Sequence, residues 1–155
     1  MKITDALLGE HGVFYAQFAH LEQVAPVAPT LAQVQGLAAS LAAALSTHAA
    51  MEDELLFTAL DPYLGGGGPL TVMRMEHDQI ESALAQIQAA RELAEAQRLV
   101  FNAIQVARDH FAKEEQILFY IAQQMLGDEA LARLGRQWAD RRGVVVRAAA
   151  PGQTQ

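Results

Sequence analysis

Three of the five histidines in this chain carry a glutamate four residues later: His48 with Glu52, His77 with Glu81, and His110 with Glu114. On an α-helix, positions i and i+4 stand one above the other on the same face. Each pair therefore aims an imidazole nitrogen and a carboxylate oxygen at one place. Independent placement of His and Glu would give three or more such pairs in only roughly 0.4% of random arrangements, counting matches to the spacing. A single pair is usually a solvated salt pair. Three pairs on three helical segments, with His11 near the N-terminus, read as a metal site built between helices, since imidazole and carboxylate are good ligands for iron, manganese or zinc.

Composition narrows the alternatives. The 155 residues suit one domain, and the alanine-rich chain with only 6% aromatic residues favours packed helices over sheet. A net charge of −7 argues against nucleic acid as a partner. With no cysteine, any transition metal must be held by nitrogen and oxygen, and iron–sulfur or thiol chemistry is excluded. The N-terminus shows no signal-peptide pattern, and the most apolar stretch, residues 37–45, is too short to span a bilayer, so a cytoplasmic protein away from membranes is expected.

The apolar period is helical throughout, so the fold class is all-α. Thr4 is expected to cap a first helix reaching about Val24, and Thr30 a second running from Leu31 to about Leu60. Pro69 is placed to open a third helix after the glycine loop 65–68. Residues 70–125 then hold neither Gly nor Pro, yet exceed one helix of a compact domain, so a turn must be hidden among them. In an up-down-up-down bundle each turn falls midway between ligands on successive helices. His11 and His48 are centred on Pro29–Thr30, and His48 and His77 on Pro62–Tyr63, both beside turn signals. The same rule puts the hidden turn within residues 90–97. A short helix from Glu129 to about Arg141 follows Gly127. The expected architecture is an antiparallel up-down-up-down four-helix bundle with a short C-terminal helix over residues 1–142, then a loose tail, 143–155.

The candidate ligands lie on the apolar stripes, for example Leu41, Leu45, His48, Glu52 and Leu55, or Ala103, Ala107, His110, Glu114, Ile117 and Ile121. Buried carboxylates on facing helices repel one another unless a cation is bound between them. His20, about half a turn around from His11, reads as a surface residue. Glu115 is a weaker alternative to Glu114. Ferritin-like sites place an acid three residues before the histidine, and no histidine here has one.

The order His11, His48-x-x-x-Glu52, Glu76-His77, His110-x-x-x-Glu114-Glu115 resembles the hemerythrin-like, or HHE cation-binding, domain over about residues 5–126. The resemblance implies a four-helix bundle with a non-haem di-iron centre, oxo- or hydroxo-bridged. His11 and His48 would bind one iron, His77 and His110 the other, and Glu52 and Glu114 would bridge them. Glu81 stands where oxygen-carrying hemerythrins have histidine. If it binds, about one coordination position stays open, and without it about two. Its charge favours ferric iron, which argues against simple oxygen transport. The expected metal set is thus His11, His48, Glu52, His77, Glu81, His110 and Glu114, with Tyr15, one turn after His11, either a core residue or one whose phenol binds the metal or one of its ligands. The implied function is binding or sensing of O2, NO or peroxide. The alternatives are a di-iron redox enzyme for peroxide or nitric oxide, and an iron-homeostasis module without turnover. The expected partner is a small diatomic ligand or peroxide. Self-association is left open.

Overall fold

Helix ends in this chain are set by side chains as much as by glycine and proline. The computed structural model describes residues 1–65 and 67–145, and it is all-α. The first helix, α1, spans Ile3–Val24. Its cap is Lys2, whose backbone N–H donates to Asp5 at 2.9 Å. Thr4, expected as the cap, instead lies buried inside the first turn, because the apolar stripe already begins at Ile3. Thr30 does cap the second helix, α2 (Leu31–Met51), accepting from the Gln33 N–H at 3.3 Å.

After α2 the rod continues through a π-helical turn, Glu52–Phe57, into α3, Thr58–Leu64. It passes Pro62, where a stop was expected, and ends at Gly65 with φ 69°. Near a helix end proline removes one hydrogen bond, while the positive φ is what turns the chain away. Pro69 opens α4 (Pro69–Ala89) at its first position. The hidden turn falls at residues 90–92, before α5, Leu93–Lys113. It escapes the Gly/Pro code because Gln35 of α2 caps it from outside. The Gln35 amide donates to the carbonyls of Ile87, Gln88 and Ala90 at 3.4, 3.1 and 3.2 Å. Gln97 of α5 serves the end of α1 in the same way, donating to the carbonyls of Ala25 and Pro26 at 3.0 and 3.1 Å. These bonds satisfy carbonyls that every helix end leaves open.

A second π-helical turn, Glu114–Leu118, joins α5 to α6, Phe119–Arg142. Gly127 (φ 72°, ψ 169°) breaks α6 and sends its last turns back over α1. That return is tight: a Cβ on Gly135 would run into the Met1 carbonyl oxygen. Gly143 closes the helix in the left-handed conformation. Of the expected tail, Val144 and Val145 are exposed and residues 146–155 lie outside the described residues.

The π turns correct the expected stripes. Beyond Glu114 the buried positions include Leu118, Phe119 and Ala122, whereas Ile117 is exposed. Beyond Glu52 the expected Leu55 is buried, and Leu56, Phe57 and Leu60 join it. A π turn is wider than an α turn, so it offsets the drift of about 40° that the preceding four-residue α-helical step adds. Two apolar clusters result, one around Phe14, Phe18, Leu41, Ile87 and Ile104, the other around Ile3, Leu7, Leu60, Leu118 and Leu131. On α1, α2 and α4 the candidate histidines fall in sequence between residues of the two clusters, and Glu114 falls between Phe111 of one and Leu118 of the other.

Candidate metal centre

Six of the seven expected ligands converge. His11, His48, Glu52 and Glu114 form one group and Glu52, His77, His110 and Glu114 a second, with the donor atoms of each group within 4.8 Å of one another. The two glutamates belong to both. They are fully buried, each the first residue of a π turn. Such turns occur often at functional sites. Here they follow the α-helical steps His48–Glu52 and His110–Glu114 and turn Leu56 and Leu118 back to the buried face.

The carboxylate oxygens divide between the two histidine pairs. Glu52 Oε1 lies 3.2 Å from His48 Nε2, and Oε2 lies 3.3 Å from His77 Nε2. Glu114 Oε2 lies 3.4 Å from His11 Nε2, and Oε1 lies 3.4 Å from His110 Nε2. His11 and His48 bring their Nε2 atoms to 3.1 Å of each other. Two donors at right angles, each about 2.1 Å from one ion, stand about 3.0 Å apart, so these spacings suit a shared cation. Both oxygens of Glu52 and of Glu114, and Nε2 of His77 and His110, are buried without a hydrogen-bond partner. Buried polar atoms normally have partners, and a cation would supply them here.

Glu81 does not join them. It is exposed and stands in neither group, apart from the other six expected ligands. His77 already stands at the edge of the α4 stripe, less buried than His48 and His110, so the drift of about 40° over four residues is enough to carry Glu81 into solvent. The buried stripe of α4 runs through Met73, Glu76, Ile80, Ala83 and Ile87 instead. Sequence inspection could have found this from the spacing of those residues. His20 is exposed, as expected.

Each histidine also meets a second carboxylate through Nδ1. His11 Nδ1 donates to Glu115 at 2.9 Å, His48 Nδ1 to Glu10 at 2.6 Å and His110 Nδ1 to Glu76 at 3.0 Å. His77 Nδ1 faces Asp53 at 3.5 Å. An ionised carboxylate only accepts, so the proton sits on Nδ1 and leaves Nε2 as the free donor atom. The outer acids are braced in turn. Glu10 takes Arg142 at 2.7 Å and the Trp138 indole N–H at 3.2 Å, Asp53 faces Arg74 at 3.5 Å, and Glu76 pairs with Lys113. Glu115 instead accepts the Tyr15 hydroxyl at 3.0 Å, which places Tyr15 one shell outside the donor groups. Burial and that bond push the Tyr15 phenol up to about 12, so it remains a donor.

Sequence reasoning did not assign these outer acids, yet each is the chain neighbour of an inner ligand: Glu10-His11, Glu52-Asp53, Glu76-His77 and Glu114-Glu115. Each braces a histidine from another helix. Ring stacking fixes orientation further, with Phe111 against His11 at 3.9 Å between centroids and Phe57 against His77 at 5.6 Å.

Electrostatics follow from this packing. Burial disfavours the protonated rings, but the carboxylates outweigh it. They push His11 and His77 up to about 9 and His48 up to about 10, and they raise His110 as well. Burial opposes ionisation of Glu52, yet His48, His11 and His77 hold its carboxyl well below the usual range. In metal-stripped protein the protonated rings therefore stand in for the missing cations. Their pKa values are raised above the unfolded value, so their stabilisation is complete below about pH 6.5 and is lost as pH rises through about 9 to 10. The lowered Glu52 acts oppositely, its contribution disappearing as pH falls below about 4.5. Thermal unfolding should show chelator-treated protein losing stability from about pH 7 to about pH 10, while metal-loaded protein loses less, because bound metal keeps the rings neutral at all these values. Parallel curves for the two forms would contradict this.

An all-α protein with a buried His/Glu cluster able to hold metal is the class that fold and site define. The hemerythrin HHE cation binding domain matches residues 2–122, and the chain belongs to that family. Neither a curated protein nor a solved structure shows a significant match to it. Among the described residues no helix is long and apolar enough to cross a membrane.

Proposed function

We propose that the chain is a non-haem di-iron protein that binds or senses O2, NO or peroxide at the centre held by His11, His48, Glu52, His77, His110 and Glu114. The division of Glu52 and Glu114, one oxygen toward each histidine pair, carries this proposal. It is the arrangement two neighbouring ions need in order to share bridging carboxylates. The donor set is imidazole and carboxylate without thiolate, which suits iron. Four protein donors per ion leave positions for a small exogenous ligand, and bound iron would supply the redox couple and the open position. The protein's own residues do the rest. Phe111 and Phe57 hold the rings flat, the outer acids fix the tautomers, and the two apolar clusters keep bulk water from both ends.

The proposed chain path is up-down-up-down. Along α1 the residues pass from the Ile3 cluster through His11 to the Phe14 cluster, along α2 they pass the other way, and α4 and α5 repeat the alternation. The test of function is stopped-flow optical spectroscopy. Reduced, iron-loaded protein should change spectrum on mixing with O2 or NO, and the oxidised form on mixing with azide or peroxide. An iron-loaded protein inert to all four would defeat the proposal.

A further inference from the structure

A groove of about 550 Å³ runs between α2 and α4 down to His48, His77 and His110. It exists because α2 presents Ala42, Ala49 and their small neighbours to α4, leaving unfilled the space that larger side chains would take. A diatomic molecule needs little more than the roughly 30 Å³ of one water in the liquid. The groove falls instead in the range of about 300–1,000 Å³ typical of pockets for whole organic ligands, apolar with a few placed polar groups.

Its rim is acidic. Asp78 and Glu81, three residues apart on α4, are both exposed on it and make no ion pair among the described residues. Asp53 also lines it, but Arg74 already faces that carboxylate. Among the described residues no lysine or arginine lines the groove. At the floor His110 is 2% exposed, and its Nε2 has no hydrogen-bond partner.

We infer that this groove binds a small organic cation, an amine whose apolar body lies along Ala42, Ala49, Ile80 and Leu84 and whose ammonium faces Asp78 and Glu81. Glu81 thereby acquires a role that does not depend on metal ligation. The inference rests on the proposed di-iron centre only in making the groove the approach to that centre. The walls and rim alone supply the binding.

Titration calorimetry of the full chain with octylamine, octanol and octanoate tests it. Octylamine should bind about tenfold more tightly than octanol, and octanoate more weakly than either, because two exposed carboxylates add a modest attraction for the amine and repel the acid. The double variant Asp78→Asn, Glu81→Gln should bind octylamine and octanol equally. Ala49→Phe should abolish all binding by filling the groove, and since that substitution can disturb packing, the rim variant carries the decision. Metal content is measured on the same samples. Two irons per chain with no octylamine binding, or with equal binding of amine and acid, overturn the inference and leave the metal centre standing. Amine-selective binding to a chain that takes up no iron supports the inference and defeats the di-iron proposal.

Discussion

Replacing Glu52 with alanine should strip metal from both positions at once. Each of its oxygens faces a different histidine pair, so the substitution removes one donor from each group. It also leaves Glu114 as the one inner carboxylate to balance two cations. Affinity should fall by more than about a hundredfold for both ions, beyond the effect of losing an outer-sphere partner. His110→Ala, by contrast, removes a donor from one group alone. Metal analysis after dialysis should therefore find iron nearly absent from the Glu52 variant, with about one ion kept by the His110 variant. Retention of one ion in the Glu52 variant would mean that this carboxylate serves a single position.

Replacing Glu10 with alanine should weaken one ion and spare the other. Glu10 holds the His48 tautomer and is itself held by Trp138 and Arg142, from the returning end of α6. Those two residues lie beyond the 2–122 span that matches the family, so the last helix of this chain completes the surroundings of a ligand inside that span. Loss of such a carboxylate costs about 10–100-fold in metal affinity. A competitive metal titration of the Glu10 variant should show two phases, one of them unchanged. Glu76→Ala should move the other phase, through His110. Arg142→Ala should reproduce the Glu10 effect more weakly, because the Trp138 N–H still orients the carboxylate. A uniform shift of both phases would assign Glu10 a general effect on folding.

Much of this was legible from residue spacing because the ligands sit on periodic stripes. The i,i+4 pairs located His48, Glu52, His110 and Glu114, and the midpoint rule found the break at residues 90–92 without Gly or Pro to mark it. The same spacing misplaced Glu81. A four-residue step shares a face only to within about 40°, and His77 stands at the edge of its stripe where His48 and His110 are buried within theirs. Helix period cannot reveal a π turn in advance, although buried residues recurring every four positions, at 48, 52, 56 and 60, carry its trace. The caps by Gln35 and Gln97 and the brace from Trp138 and Arg142 join positions 50 or more residues apart, as in Gln35 to Gln88, and no local pattern encodes such pairs. The outer acids were in view as neighbours of the ligands. Their role emerges only once two helices meet.

The proposed dinuclear centre is tested most directly by loading the chain with iron anaerobically, oxidising it, and recording metal content together with Mössbauer spectra over a range of applied fields. Two shared carboxylates would bring the ions close enough to couple. The expected result is two irons per chain, ferric, with a diamagnetic ground state from antiferromagnetic coupling. One iron per chain, or two that behave as independent high-spin ions, would contradict it.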